Sequence, residues 1–393
     1  MRVCLVYGDY PPKPPGKNDG GADFVAALAE RLVSRGIAVS VIVSKRQERP
    51  IPYVTSTGVR ILPLIQDWTL VGALRGQWRT LEHALLAENP DVVHLVYPDP
   101  YLRYGSDSYH LPFLLKFAGA KRLVVTCFGF GVTSASLVTK LGLLGLFATA
   151  DRIVITDVAL HKRFQRTFPF WARKSRAGFV GSIADDTTTR WSAGELERRR
   201  AELGLHRAER LIGFFGFWSP DKGLEDLIEA VRILNKSGEN VKLVLIGGRE
   251  AGLRTEYERM IESRVFDAGL GDAVIETGPL SVGDVTRYLL AVDLCALPFR
   301  VNALGRSSLA TALTLGVPTV VSRPSVGQDV LKGLPQFEPR DPEGLAAAVR
   351  SVLGSPGARA GAAEAATAAS ASWSWDSIVA AYLLDYRKVG ASS

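Results

Sequence analysis

Two cations stand where a chain commonly meets phosphate. Lys222 follows an apolar run (Leu211–Phe215), Gly216 and a short loop with Pro220, and it opens a helix behind Gly223. Arg306 lies in Leu304–Ser308 (LGRSS), just before a helical run, Leu309–Leu315, that stops at Gly316-Val317-Pro318. A helix N-terminus presents unpaired N–H groups and the positive end of the helix dipole, so it attracts anions. Ser307 or Ser308 is expected to cap this second helix. Their hydroxyls, the helix amides beside Gly305 and the Arg306 guanidinium would then form a convergent anion site. One cation from each of two loops suits a diphosphate that must be held and neutralised as it leaves. The alternative for Lys222 is a solvated first-turn lysine, and position alone leaves both open.

The elements around these residues alternate. Leu211–Gly248 reads as strand, loop, helix, strand, with Leu224, Leu227, Ile228, Val231 and Leu234 at helical spacing and an apolar run ending in Gly247-Gly248. Later strands are expected at Ala273–Glu276, Leu294–Leu297 and Thr319–Val321. The first half repeats the pattern: Arg2–Tyr7, a Pro-rich loop, Gly20-Gly21, a helix from about Ala22 to Ser34, and strands at Val39–Val43, Val92–Leu95, Leu123–Thr126 and Arg152–Thr156. Two α/β units of doubly wound parallel sheet follow. Such sheets bind ligands beyond the carboxyl ends of their strands. Neither G-x-G-x-x-G after the first strand nor G-x-x-x-x-G-K-[ST] is found, so standard dinucleotide and P-loop readings lack their phosphate cradle.

Composition narrows the class. The 393 residues are 47% hydrophobic and 22% charged, as expected of a two-domain globular protein, with no apolar run long enough to span a bilayer. Cys4, Cys127 and Cys295 are scattered over apolar runs and read as buried thiols; with no leader pattern visible, a cytoplasmic protein is expected. No Cys or His cluster suits a metal. Residues 1–183 carry 23 Lys/Arg against 13 Asp/Glu, whereas the rest carry 24 against 27. A basic first half implies an anionic partner. Lys162–Arg176 (KRFQRTFPFWARKSR) interleaves six cations with Phe164, Phe168, Phe170 and Trp171, which suits a peripheral contact at the inner membrane surface. The competing reading turns those aromatics inward.

Taken together, Gly20-Gly21, AENPDVVHL (Ala87–Leu95), TADRIVIT (Thr149–Thr156), FFGFWSPDKGLEDLIEA, VKLVLIGG, ETGPL (Glu276–Leu280), YLLAVDLCALPF (Tyr288–Phe299) and ALTLGVPTVVS (Ala312–Ser322) resemble, in order and spacing, a family 4 glycosyltransferase of the GT-B fold. The resemblance implies two Rossmann-like domains facing across a cleft. Residues 1–183 would bind the acceptor, completed by 373–393 (SWSWDSIVAAYLLDY crossing back), and 184–372 would bind the nucleotide sugar. It also implies sugar transfer from a nucleoside diphosphate donor to a hydroxyl acceptor, usually with retention, without a metal or other cofactor, and without nucleic acid. Lys222 and Arg306 would be catalytic. Gly20, Gly21, Phe217, Gly248, Arg249, Gly278, Leu280, Gly305, Ser307, Ser308 and Thr311 would contact the donor.

The chain departs from the family pattern at four positions. Phe217 stands where an arginine is common, Ala303 and Thr311 occupy the E-x7-E glutamates, and Phe128 replaces a histidine. Arg306 is read as the substitute phosphate cation, and Thr311 as a partial substitute for the ribose-binding glutamate. The alternative is a pseudo-glycosyltransferase that binds a nucleotide or partner transferase, or that couples a non-glycosidic donor. Acceptor contacts are expected from loops after first-domain strands, with Asp99, Tyr101, His110 and Phe128 as candidates beside Tyr104 and Asp107. His94 reads as a satisfied core residue, and the apolar stretch Ser136–Ala150 as a buried helix or the wall of a lipophilic cleft.

Overall fold

The computed structural model describes residues 1–10, 20–45, 50–68, 72–97, 111–128, 144–184, 191–205, 210–248 and 255–391. Two compact units result, one built from the chain up to Phe179 together with Trp375–Ser393, the other from Val180–Ser374.

The first unit is built on an eight-stranded sheet: β1 (Arg2–Val6), β2 (Ala38–Ser44), β3 (Tyr53–Val54), β4 (Arg60–Ile65), β5 (Val92–Tyr97), β6 (Leu123–Cys127), β7 (Arg152–Ile155) and β8 (Ser175–Ala177). Their spatial order is β3-β4-β2-β1-β5-β6-β7-β8, and only β3 and β4 pair antiparallel. Central strands such as VVHLVY are buried along their whole length, as a parallel sheet covered on both faces requires. The sequence reading had no strand between β2 and β5. Pro63 in RILPLI obscures one, because proline cannot donate to a ladder. β4 accommodates it beyond the two residues that pair with β3, and the β2–β4 register shifts just after it.

The helix Gly20–Val33 packs Phe24, Val25, Leu28 and Leu32 into this unit. Of the aromatics in 162–176, Phe164 is fully buried, while Phe168 and Trp171 pack partly buried on the same core. Only Phe170, 93% exposed, points outward. Three of the four aromatics therefore pack inward, as the inward reading has it, because helix Val158–Thr167 turns its apolar face to the sheet. In the apolar stretch 136–150, residues 129–143 lie outside the described ones, and Leu146 and Phe147 are core residues. Cys4, Cys127 and Cys295 are buried free thiols, pushed up to about 12 by burial.

The terminal helix Trp375–Ala391 is pinned to the first sheet by a buried polar chain. The His94 ring bonds Tyr386 Oη through Nδ1 (2.7 Å) and Thr126 Oγ1 through Nε2 (2.8 Å), and Thr126 Oγ1 also meets Tyr382 Oη at 2.8 Å. His94 is thus a satisfied core residue. Burial, with the nearby Arg176 charge, lowers its pKa to about 3. A histidine that stays neutral when folded but charges near 6.5 when unfolded stabilises the fold fully above that value, and the contribution is lost as pH falls from 6.5 toward 3. Stability should therefore drop by about 1.6 kcal/mol between pH 6.5 and 5 from this group alone. Melting curves of wild type and His94→Asn should show the variant with the flatter acid limb. Equal slopes would sink the assignment.

The second unit holds a six-stranded, wholly parallel sheet of β9 (Arg210–Phe217), β10 (Val241–Gly248), β11 (Val274–Glu276), β12 (Leu294–Leu297), β13 (Thr319–Ser322) and β14 (Gln336–Phe337). Its order is β11-β10-β9-β12-β13-β14, so the sheet grows outward from β9 and reverses direction at the β9–β12 pair. Two helices, Pro342–Leu353 and Pro356–Ser370, fill the Ala/Gly-rich region before the terminal helix.

Candidate donor-phosphate site in the second unit

The reversal at β9 and β12 explains how residues far apart in sequence meet. Lys222 sits on the loop leaving the carboxyl end of β9, and Arg306 on the segment leaving β12, its hydrogen-bonded neighbour. Ligands in open α/β sheets bind at such a switch point. The two segments are tied directly: the Arg300 N–H donates to the Asp221 carbonyl at 2.9 Å, and Arg306 Nη2 pairs with Asp221 Oδ2 at 2.9 Å. Asp221 Oδ1 accepts from Ser219 Oγ at 2.5 Å. Lys222 places its ammonium 5.1 Å from the centre of the buried Phe299 ring.

Glycines make this approach feasible. Gly223 has φ +66°, and a Cβ there would lie 2.0 Å from the Pro298 carbonyl oxygen, so no other residue fits between the two segments. Gly216, φ +145°, lies beside the lysine: a Cβ there would stand in ordinary contact with Lys222 Nζ, at 3.7 Å.

Electrostatics set the charge state. Burial, reinforced by the Arg306 charge and opposed by Asp221, lowers the Lys222 ammonium to about 8. For Asp221, burial pushes upward, but the Ser219 hydroxyl together with Arg306 and Lys222 outweighs it and holds the carboxyl below its ordinary value. The cluster therefore carries two cations against one carboxylate.

Helix caps identify the open end. The helices at Ala193, Glu256, Val282, Pro342 and Pro356 each begin with a Ser, Thr or Asp side chain accepting a backbone N–H. Those at Leu224 and Ser307 have no such bond. The first already carries Glu225 and Asp226 in its opening turn, both paired with Arg300. Ser307–Thr314 has no acid there, so no carboxylate of its own first turn offsets its N-terminal charge.

This corrects two expectations. Neither serine caps the helix: Arg306 is the N-cap residue, in extended conformation, and the helix begins at Ser307, two residues earlier than its apolar run. The Ser308 hydroxyl is buried without a hydrogen-bond partner. Thr311 cannot stand in for a ribose-binding glutamate. It is fully buried, with its hydroxyl donating to the Ser307 carbonyl at 2.7 Å and accepting from the Ile183 N–H at 3.1 Å.

The other expected donor residues divide by location. Gly248, φ +107°, comes within 3.6 Å of the Gly278 Cα, measured from the position a Cβ would take, so the carboxyl ends of β10 and β11 meet through glycines. Leu280 is half-buried beyond them, Phe217 is exposed at the end of β9, and Gly305 ends the turn Ala303–Gly305. Arg249 lies outside the described residues, as do Asp99, Tyr101, Tyr104, Asp107 and His110. In the first unit, Gly20 is exposed at the start of its helix, and a Cβ on Gly21 would collide with the Tyr7 hydroxyl at 2.1 Å. Phe128 packs edge-on to Phe24, centroids 5.3 Å apart. Among the described residues no group of three or more His, Cys, Asp or Glu could hold a metal ion, and no helix is long and apolar enough to cross a membrane.

Three residues escaped the sequence reading. Asp221 and Phe299 position the two cations. Asn302, 8% exposed, buries both amide atoms without a hydrogen bond. Its only signal was a polar residue between Val301 and Ala303. The Leu304 carbonyl beside it is held by the Trp373 indole N–H at 3.2 Å.

Comparison with known proteins agrees with this geometry. The family model of glycosyl transferases group 1 matches residues 196–369, which contain the whole cation cluster. The chain has the GT-B fold, and its second unit resembles the glycosyl transferases of group 1. D-inositol 3-phosphate glycosyltransferase of Acidothermus cellulolyticus is 26% identical over 410 aligned positions, spanning 98% of this chain and 90% of that protein. Among solved structures, sucrose-phosphate synthase of Thermosynechococcus elongatus superposes with a TM-score of 0.79 at 19% identity, covering all of both chains. Anabaena HepE in complex with UDP and glucose gives 0.75 at 16% identity, covering 99% of this glycosyltransferase-like chain and 100% of HepE.

Proposed function

We propose that this chain is a glycosyltransferase that moves a sugar from a nucleoside diphosphate donor to a hydroxyl acceptor, with retention and without a metal ion. The observation that carries the reading is the convergence of Lys222 and Arg306 beside the uncapped, acid-free helix start at Ser307. As the anomeric carbon–oxygen bond breaks, negative charge grows on the departing diphosphate. Lys222, Arg306 and the helix amides stabilise it. The acceptor oxygen bonds to the anomeric carbon on the same face and passes its proton to the departing phosphate oxygen. Gly248, Gly278 and Leu280 would line the nucleoside pocket, and Gly20-Gly21 would contact the donor from the first unit.

HepE binds UDP and glucose, which supports a uridine donor as the first to try. The basic first unit supports an anionic acceptor, in line with the D-inositol 3-phosphate in the name of the Acidothermus relative. Three unpaired, buried thiols support a cytoplasmic location.

The test is nucleotide release from a panel of UDP-, GDP-, ADP- and dTDP-sugars, alongside thermal shift with the matching diphosphates. A bound diphosphate at about 100 times its Kd should add roughly 2.7 kcal/mol of stability. Arg306→Ala removes a charged hydrogen-bonding group worth about 1.5–3 kcal/mol, so kcat/KM should fall roughly 10- to 150-fold. Full activity in that variant would remove Arg306 from the phosphate site. Diphosphate binding without turnover would favour a pseudo-transferase, and no response to any diphosphate would defeat both.

A further inference from the structure

Among the described residues the chain leaves the first unit at Phe179–Val180 and returns to it at Ser374–Trp375. Each passage is pinned on both sides within a few residues. Ahead of the outgoing one, Arg176 pairs with Asp385, and the Gly178 N–H donates to the Ile155 carbonyl at 2.8 Å. Beyond it, the Ser182 hydroxyl closes a tight turn, donating to the Ala184 carbonyl at 2.8 Å and accepting from the Ala184 N–H at 3.1 Å. Ser182 and Ala184 are both buried, and between them the Ile183 N–H donates to Thr311 Oγ1 at 3.1 Å. That hydroxyl donates in turn to the Ser307 carbonyl at 2.7 Å.

The returning passage is shorter. Trp373, fully buried in the second unit, donates its indole N–H to the Leu304 carbonyl at 3.2 Å. Trp375 belongs to the first unit, where it packs against Phe24 with centroids 5.5 Å apart and takes the Arg31 guanidinium 4.9 Å from its ring centre. Ser374 alone stands between the two tryptophans.

Leu304, Ser307 and Thr311 belong to one segment. It runs from the turn Ala303–Gly305 through Arg306 into the helix Ser307–Thr314. The two passages therefore reach it on either side of Arg306, one at Leu304 and the other at Ser307 through Thr311. Arg306 itself is tied to Asp221 on the loop leaving β9. Each tether uses a main-chain group, the Ile183 N–H or the Leu304 carbonyl. A main-chain group left unpaired away from water is costly, so the cheapest displacement moves passage and segment together.

We infer, on the reading of Arg306 and the Ser307 helix start as the donor-phosphate site, that Thr311 and Trp373 are positioning residues which couple occupancy of that site to the two passages. An anion drawn onto Arg306 and the helix amides fixes the segment, and the segment then holds Ile183 and Trp373 in their bonds. The coupling is reciprocal: a passage cut from its tether weakens anion binding by the factor that the anion would have tightened the passage. Short joins at the ends of elements are where such conformational changes are absorbed. Thr311 thus serves the site from behind, without touching the donor.

The experiment titrates the full chain with inorganic pyrophosphate, which carries the diphosphate chemistry without base or sugar, and follows hydrogen exchange at residues 180–184 and 371–376. Wild type is compared with Thr311→Val, Thr311→Ser and Trp373→Phe. Thr314→Val is the matched control, since the Thr314 hydroxyl in the same helix has no hydrogen-bond partner. Pyrophosphate should slow exchange in both passages of the wild type. Thr311→Val should abolish that slowing at 180–184 and keep it at 371–376, and Trp373→Phe should do the reverse. Each should weaken pyrophosphate binding about fivefold or more, the lower end of usual coupling between sites. Thr311→Ser, which keeps the hydroxyl, and Thr314→Val should bind as the wild type does. Melting curves check that every variant folds, and the two positions give independent readings. Pyrophosphate binding that Lys222→Ala with Arg306→Ala abolishes, but that Thr311→Val and Trp373→Phe leave intact, overturns the coupling alone and assigns both residues to stability. No binding by wild type, or binding indifferent to Lys222 and Arg306, removes the phosphate site and the coupling with it.

Discussion

Replacing Lys222 by alanine is expected to lower kcat/KM by about 10²–10³-fold, the usual effect of removing one group that stabilises charge developing in the transition state. The ammonium sits over Phe299, and Arg306 and the Ser307 helix start hold positions of their own. Arg306 is held on Asp221, and the helix start is fixed by the chain that precedes it. The pH dependence gives an independent check. With the free ammonium near 8, the charged form needed for a diphosphate is lost as pH rises through that value. The profile of kcat/KM reports groups of the free enzyme, so it should fall on the alkaline side with an apparent pKa of about 8. Once a donor is bound, its negative charge raises the lysine, and the fall in kcat should move to higher pH. A flat profile from pH 7 to 9, or an alanine variant within tenfold of wild type, would remove Lys222 from the transfer step.

The largest effect on stability is expected at Asp385. Its carboxylate is almost fully buried and bridges two cations of the first sheet, Arg152 Nε at 2.7 Å and Arg176 Nε at 2.6 Å. Arg176 also lies over the Tyr382 ring, 4.9 Å from its centre. Taking away one member of a buried ion group leaves the others charged and unpaired, which costs about 3–5 kcal/mol. Asp385→Ala should therefore lower the denaturation midpoint substantially and speed hydrogen exchange in the terminal helix before the rest of the first unit. Asp385→Asn keeps the shape while removing the charge, so a similar loss in both variants would assign the effect to the ion group rather than to packing. A loss below about 1 kcal/mol, the range of surface pairs, would refute it.

Much of this was legible in one dimension. Helical and strand periodicity outlined both sheets, because an apolar run bounded by glycine has few ways to be buried other than as a central parallel strand. The same periodicity missed β3 and β4, where Pro63 and a two-residue edge strand leave too little pattern to read. His94 could be assigned to the core from its neighbours in VVHLVY, but its partners Tyr382 and Tyr386 lie almost 300 residues away, and only folding reveals them.

At the site, residue type and spacing singled out Lys222 and Arg306 because loops before helix starts are where phosphate cations work. Their meeting was decided by strand order, since only the reversal at β9 and β12 sets their two segments side by side. Tertiary structure also overruled local chemistry. Serines that would cap an isolated helix became its first turn because Arg306 entered in extended conformation. Thr311, which looked available for a ligand, was spent on Ser307 and Ile183 inside the fold. The amino-acid sequence by itself determined which groups could carry charge and which segments had to be buried, because those follow from side-chain chemistry and short-range periodicity. Which charges converge, which hydroxyls are consumed internally and which helix start stays open depend on long-range packing, so only the tertiary structure decided them.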